Sequence, residues 1–270
     1  MKNIVLLAGL TALMMSSCEV KEKVSSSNGE PFGMNIACAD FGSVFPGEYN
    51  KDYTYPTDSD LVYWEKKGLK LVRMPFKWER LQYKLDGGLN KHDLEKMKEF
   101  VVAAQKRGIK VLLDLHNYCR RFENGDHRII GTYGITNQNY AGFWKKIASE
   151  FKDYDNIYGY GLMNEPHDLP DSISWFKMAQ LAIDSIRMVD TKNTIVVGGN
   201  SWSSAKRWLT ESDTLKFLKD PAENLMFEAH CYFDKDGSGT YKYSYEEEEG
   251  TPEKGRQLVA PFVECLAKII

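Results

Sequence analysis

At 270 residues, 43% of them apolar and 13% aromatic, the chain is large and hydrophobic enough to bury one substantial core, which excludes a disordered or fibrous protein. Lys and Arg number 35 against 38 Asp and Glu, a net charge of −3 that gives no reason to bind nucleic-acid phosphates and suits a neutral or polar substrate better. Five cysteines without a C-x-x-C pair and five histidines without H-x-x-x-H exclude a zinc ribbon, a thioredoxin motif and a zincin, so no metal or other cofactor is expected.

The first residues read as targeting sequence. Lys2 precedes an apolar run from Ile4 to Met15, broken only by Thr11 and too short for the ~20 residues of a membrane helix, so residues 1–17 are expected to be a signal peptide. Met15-Ser16-Ser17-Cys18 places small residues ahead of a cysteine and resembles a bacterial lipobox, in which Cys18 is lipidated and becomes the mature N-terminus. Residues 18–30 have the polar, Ser-rich composition of a flexible tether. The expectation is an exported lipoprotein held at the periplasmic or cell surface by its lipid alone, or a secreted protein if the cysteine is incidental. In that compartment any of Cys38, Cys119, Cys231 and Cys265 could pair, and the sequence does not say which.

From Phe32 onward short apolar runs alternate with helix-period stretches, the pattern of βα units around a parallel sheet. The predicted strands are Phe32–Ile36, Leu69–Met74, Lys110–Leu115, Ile157–Met163, Thr194–Gly198 and Leu225–His230. Between them, Asn90 caps a helix carrying Leu94, Met97, Val101 and Ala104 that stops at Gly108. Tyr140, Phe143, Trp144, Ile147 and Phe151 mark a third helix, Phe176, Ala179, Ile183 and Ile186 a fourth, and Pro252 to Ile270 a last one. At this spacing eight βα units would need roughly 310–330 residues. Residues 31–270 are therefore read as an α/β (β/α)8 TIM barrel with about six of its eight units, the alternative being a six-unit open sheet. The outer edges of the first and sixth strands are expected to be exposed.

Polar residues collect where these strands end. Arg73 ends the second, His116-Asn117 the third, Asn164-Glu165-Pro166 the fourth, and His230 with Tyr232 the sixth, the places that face substrate in a parallel barrel. Alternation puts Leu112, Asp114 and His116 on one face, and Gly159, Gly161, Met163 and Glu165 on another. Glu165, between an apolar strand and a proline, is the first candidate for a general acid; capping the next helix or pairing with an arginine is the plainer role.

In order along the chain stand Gly33-Met34-Asn35, Val72-Arg73-Met74-Pro75, Leu113-Asp114-Leu115-His116-Asn117, Leu162-Met163-Asn164-Glu165-Pro166 and His230-x-Tyr232. This series resembles glycoside hydrolase family 5, over nearly all of residues 31–270. Trp78-Glu79-Arg80-Leu81, His116-Asn117-Tyr118, Met163 to Asp168 and Tyr232 to Thr240 bring it nearest the endo-β-1,4-glucanase, or cellulase, branch. The resemblance implies a retaining glycosidase acting on β-glucan chains or cello-oligosaccharides, expected to be a monomer. It makes Glu165 the acid/base, with Asn164 on the sugar 2-hydroxyl, and Arg73 and Tyr232 on the nucleophile. His116 and His230 orient the sugar and the carboxylates, Asn117 supports the site, and Trp202 is a stacking platform or rim packing.

The same resemblance places the nucleophile, a second glutamate, on a seventh strand and a tryptophan on an eighth. Neither is found in the sequence: Glu228 lies one layer too deep, Asp234 and Asp236 belong to a loop, and Glu246 to Glu249 form a solvated run. The expectation is thus the acid/base half of the mechanism, low stability and impaired activity. The alternatives are a mannanase, xylanase or β-1,3-glucanase of the same fold, a non-catalytic glycan-binding surface protein, and, last, a six-unit scaffold.

Overall fold

A computed structural model describes residues 32–268; the expected signal peptide, Cys18 and the tether lie outside the described residues. Six parallel strands form one sheet, β1 (Gly33–Asn35), β2 (Leu71–Phe76), β3 (Lys110–Leu115), β6 (Ile157–Gly161), β7 (Thr194–Gly198) and β8 (Leu225–Glu228), in the order β1-β2-β3-β6-β7-β8. The chain thus adds each sheet strand beside the previous one, as in a partial barrel. Among the described residues β1 and β8 have one neighbour each; all three residues of β1 are exposed, as predicted for that edge, whereas β8 is mostly half-buried.

The helices form where capping and periodicity agree. Asn90 accepts the Asp93 N–H at the start of α3 (Lys91–Lys106), and Gly108, at φ 64°, turns the chain beyond its end. Thr136 makes a capping box with Asn139 ahead of α4 (Asn137–Phe151), and Ser174 caps α5 (Trp175–Arg187). Their apolar stripes meet the sheet: Phe76 of β2 packs 6.4 Å from Phe143 and 6.3 Å from Trp144 of α4. Trp78, in the short helix α2 (Trp78–Leu81) after β2, stacks on Phe143 at 5.3 Å. The last helix runs over Lys254–Leu266, inside the predicted span. Among the described residues no helix is long and apolar enough to cross a membrane.

The sequence reading missed an antiparallel hairpin, β4 (Arg120–Glu123) with β5 (Asp126–Ile129). Its turn is Asn124-Gly125, both at positive φ, the two-residue turn that matches strand twist. Its strands lack apolar alternation because buried charge holds them. The buried Glu79 carboxylate of α2 accepts from the Phe122 N–H and from Asn117, and the buried Arg121 guanidinium donates to the Gln82 carbonyl and lies 4.9 Å from the Trp78 ring. Arg80, also fully buried, donates to the carbonyls of Ala39, Phe41 and Pro46 under the Tyr53 ring. Among the described residues the four cysteines are free thiols, and burial pushes those of Cys38 and Cys119 well up.

Candidate active site

Arg73, at the centre of the strand ends, joins four of them. Nη1 donates to Asn35 Oδ1 at 2.9 Å, while Nη2 lies 2.8 Å from Asn164 Oδ1, 3.0 Å from Asp114 Oδ1 and 3.0 Å from Glu228 Oε1. Burial opposes its charge, but Asp114 and Glu228 more than restore it and raise its pKa. On β3, Asp114 Oδ2 meets His116 Nδ1 at 2.7 Å, and His116 Nε2 meets the Tyr118 hydroxyl at 3.1 Å. Burial, then the charges of Glu165 and Asp114, push the Tyr118 hydroxyl up to about 12, so it stays protonated.

Across the cluster His230 lies between two carboxylates, with Nδ1 2.6 Å from Glu165 Oε1 and Nε2 2.7 Å from Glu228 Oε1. Burial disfavours the imidazolium, yet hydrogen bonds to Glu165 and Glu228 overcome it and raise the pKa to about 9. His230 is then charged at neutral pH and donates on both sides. Burial likewise opposes the Glu228 anion, but His230 and Arg73 hold its carboxyl well below the ordinary range. The sequence reading set Glu228 aside as too deep. It does lie below His230, but it belongs to the cluster, and the signal for it was its place two residues before His230 on one strand face.

The predicted strand end is also corrected. β6 stops at Gly161, and residues beyond it continue by single bonds: Leu162 N–H to Val196 O at 2.9 Å and Asn164 N–H to Leu115 O at 2.8 Å. Glu165 therefore owes its direction to a left-handed backbone (φ 45°) rather than to strand alternation. Tyr118, Cys119, Asp168 and the run Ser201 to Ser203 share that conformation, which costs a non-glycine residue about 1–3 kcal/mol and gathers at functional sites. The Ser201 to Ser203 turn sets the His230 backbone, whose N–H donates to Ser203 O at 2.8 Å and whose carbonyl accepts from Ala205 at 2.9 Å. Gly198 permits the close approach this needs, since a Cβ there would stand 2.7 Å from Ser203 Oγ and 3.1 Å from Met163 O.

From the other side, α4 secures the segment that leads to Glu165. The Tyr140 hydroxyl and Trp144 Nε1 both donate to the Leu162 carbonyl, at 2.7 and 3.0 Å. Tyr140→Phe is expected to lower stability by about 1 kcal/mol in urea denaturation; an unchanged midpoint would remove this anchor.

The remaining predicted residues divide. Asn117 is buried and spends its amide on Trp78 N, Glu79 and Arg120 O, so it supports the wall and does not face the cleft. Trp202 is 38% exposed, with His167 flat against it at 4.6 Å and Arg207 5.6 Å from the ring centre, a rim aromatic that still presents surface. Tyr232 is half-exposed and packs against Gly239. Asp234 is buried and closes its own loop by accepting from Ser238 Oγ, Gly239 N and Thr240 N. The seventh-strand glutamate and eighth-strand tryptophan have no counterpart among the described residues. Among those residues no group of three or more His, Cys, Asp or Glu side chains is placed to hold a metal ion.

The cellulase family, glycosyl hydrolase family 5, matches residues 25–265. The chain belongs to that family. It is 33% identical over 215 residues to the manganese dependent endoglucanase Eg5A of Phanerodontia chrysosporium, covering 77% of this chain and 54% of the relative. It is 35% identical over 212 residues to a probable endo-beta-1,4-glucanase B of Neosartorya fischeri, covering 77% and 61%. The structure of Pseudomonas stutzeri endoglucanase Cel5A in complex with cellobiose superposes with a TM-score of 0.80 at 37% identity, over 87% of this chain and 70% of that one. The chain spans between half and two thirds of the length of those two curated relatives.

Proposed function

We propose that the protein hydrolyses internal β-1,4 bonds of glucan chains, with Glu165 protonating the departing glycosidic oxygen and then activating water. The observation that carries this is the Glu165 carboxyl at a parallel-strand end, held by one oxygen on His230 inside the Arg73 cluster. With Oε1 so held, Oε2 is the oxygen to exchange protons with substrate. Asn164, its Oδ1 engaged by Arg73, offers its amide N–H to a sugar hydroxyl, a contact that strengthens as the ring gains oxocarbenium character. Retention of configuration, which needs a second carboxyl ~5–5.5 Å away, rests on the family resemblance. A glucan substrate is supported by the endo-beta-1,4-glucanase relatives and by the cellobiose complex of P. stutzeri Cel5A.

The test is to incubate the full chain with carboxymethylcellulose, lichenan and mannan, following viscosity and reducing ends, and to titrate it calorimetrically with cellopentaose and mannopentaose. Viscosity of carboxymethylcellulose should fall well ahead of reducing-end release, with cellopentaose bound in preference. Preference for mannan in both assays would overturn the glucan reading, and tight cellopentaose binding without any turnover would make the protein a glycan binder instead.

A further inference from the structure

Two strands end in the same local arrangement, a carboxylate followed two residues later by a histidine that it holds. On β3 it is Asp114 and His116, on β8 and its extension Glu228 and His230, with separations of 2.7 Å in both pairs. Arg73 Nη2 stands 3.0 Å from each carboxylate and so ties the two pairs together. They differ in what the far side of the histidine meets: Tyr118 in one, the Glu165 carboxyl in the other.

We propose that Glu228 is a positioning residue for Glu165: it holds Nε2 of His230, so that Nδ1 donates to Oε1 of Glu165 and Oε2 is left to exchange the proton with the glycosidic oxygen. This rests on the acid/base role proposed above for Glu165. The His230 backbone is already fixed to Ser203 and Ala205, so only its two side-chain torsions remain free. An acceptor at Nε2 sets both, because the two ring nitrogens point in fixed, divergent directions. Glu228 is itself held by Arg73, which makes the order of support Arg73, Glu228, His230, Glu165. The groups facing His230 are therefore Glu165 from the end of β6 and Glu228 from its own strand, with Arg73 of β2 behind Glu228 and Asp114 of β3 behind Arg73. Bonds and protons balance over the turnover: the Oε2 proton passes to the departing oxygen as the bond from the anomeric carbon to it breaks, and the water whose oxygen forms the new bond to that carbon returns a proton to Oε2. The Nδ1–H stays on His230 and stabilises the carboxylate while it is unprotonated.

The test is nitrogen-detected NMR of the histidine side chains in the 15N-labelled full chain across pH 5–10, flags about the wild type first. Both His230 nitrogens are expected to be protonated at neutral pH, with loss of the proton near 9. In Glu228→Gln, isosteric but uncharged, that titration should fall by about one pH unit or more. In parallel, kcat on a soluble glucan should fall about tenfold with KM little changed, and the alkaline limb of the pH profile should move down with the His230 titration. A bare Nδ1 at neutral pH in the wild type overturns the proposal even if the variant does not fold, and so does an unchanged titration in a folded variant. If the NMR behaves as expected while the wild type hydrolyses no glucan, the support of Glu165 by Glu228 stands and the hydrolytic reading fails.

Discussion

Glu165→Gln is expected to lower glucan hydrolysis by about 10²–10⁴-fold, the usual contribution of a positioned general acid or base. The amide keeps the shape of the carboxyl and can still accept from His230 Nδ1 through its oxygen, so folding and sugar binding should change little. What it removes is the exchangeable proton at the second oxygen. The loss should therefore appear in kcat with KM nearly unchanged, and it should be smaller for an aryl cellobioside, whose departing phenolate needs less protonation, than for a cello-oligosaccharide. A variant that hydrolyses both within a few-fold of the parent would take the acid role from Glu165.

The largest effect on stability is expected away from the cleft, at Asp220. Its carboxylate meets Arg187 Nε at 2.7 Å and Nη2 at 2.8 Å, with both side chains almost fully buried. It also accepts the N–H groups of Ala222 and Asn224, while Arg187 Nη1 donates to the carbonyls of Asp190 and Asn193. The pair thus fastens α5 to the turns before β7 and β8. Asp220→Ala leaves the guanidinium buried without its counter-ion, and the expected loss is about 3–5 kcal/mol in urea denaturation. Burial works against the Asp220 anion, but Arg187 and the two backbone donors outweigh it and hold the carboxyl below its ordinary value. The sign follows: the stabilisation is fully present above the unfolded carboxyl value near 3.9 and drains away as pH falls through the lower folded value. The gap between parent and variant should accordingly narrow in strongly acidic buffer. A gap under about 1 kcal/mol at neutral pH would show that the site relaxes around the exposed guanidinium.

Much of this architecture was legible in the residues because burial on both faces leaves a plain mark. Lys110–Leu115 and Thr194–Gly198 are found with the predicted bounds, being apolar runs flanked by turn residues. The α3 helix was readable from its cap at Asn90, its spacing and its stop at Gly108. The hairpin was not, because its inward side chain is Arg121 and its backbone is held by the Glu79 carboxylate of α2, which no hydrophobic pattern reveals; only Asn124-Gly125 announced it. In the site, Arg73, His116, Asn164, Glu165 and His230 come together as their strand-end positions imply. Glu228 was passed over because depth in the barrel was taken as distance from the chemistry, whereas an imidazole spans that depth. Asn117, expected to support the site, is buried beside His116 and ties the short helix α2 to the Arg120 carbonyl.

The Leu162 carbonyl, gripped by two side chains of α4, has a consequence for how such a protein changes over time. The backbone that carries Glu165 is anchored in the interior layer, while the loop around Asp234 is closed by hydrogen bonds within itself. If Glu165 is the proton donor proposed above, changes in that loop can thus accumulate while its carboxyl stays where it was. Loop and anchored segment are then separable inheritances, one free to vary and the other fixed by the fold.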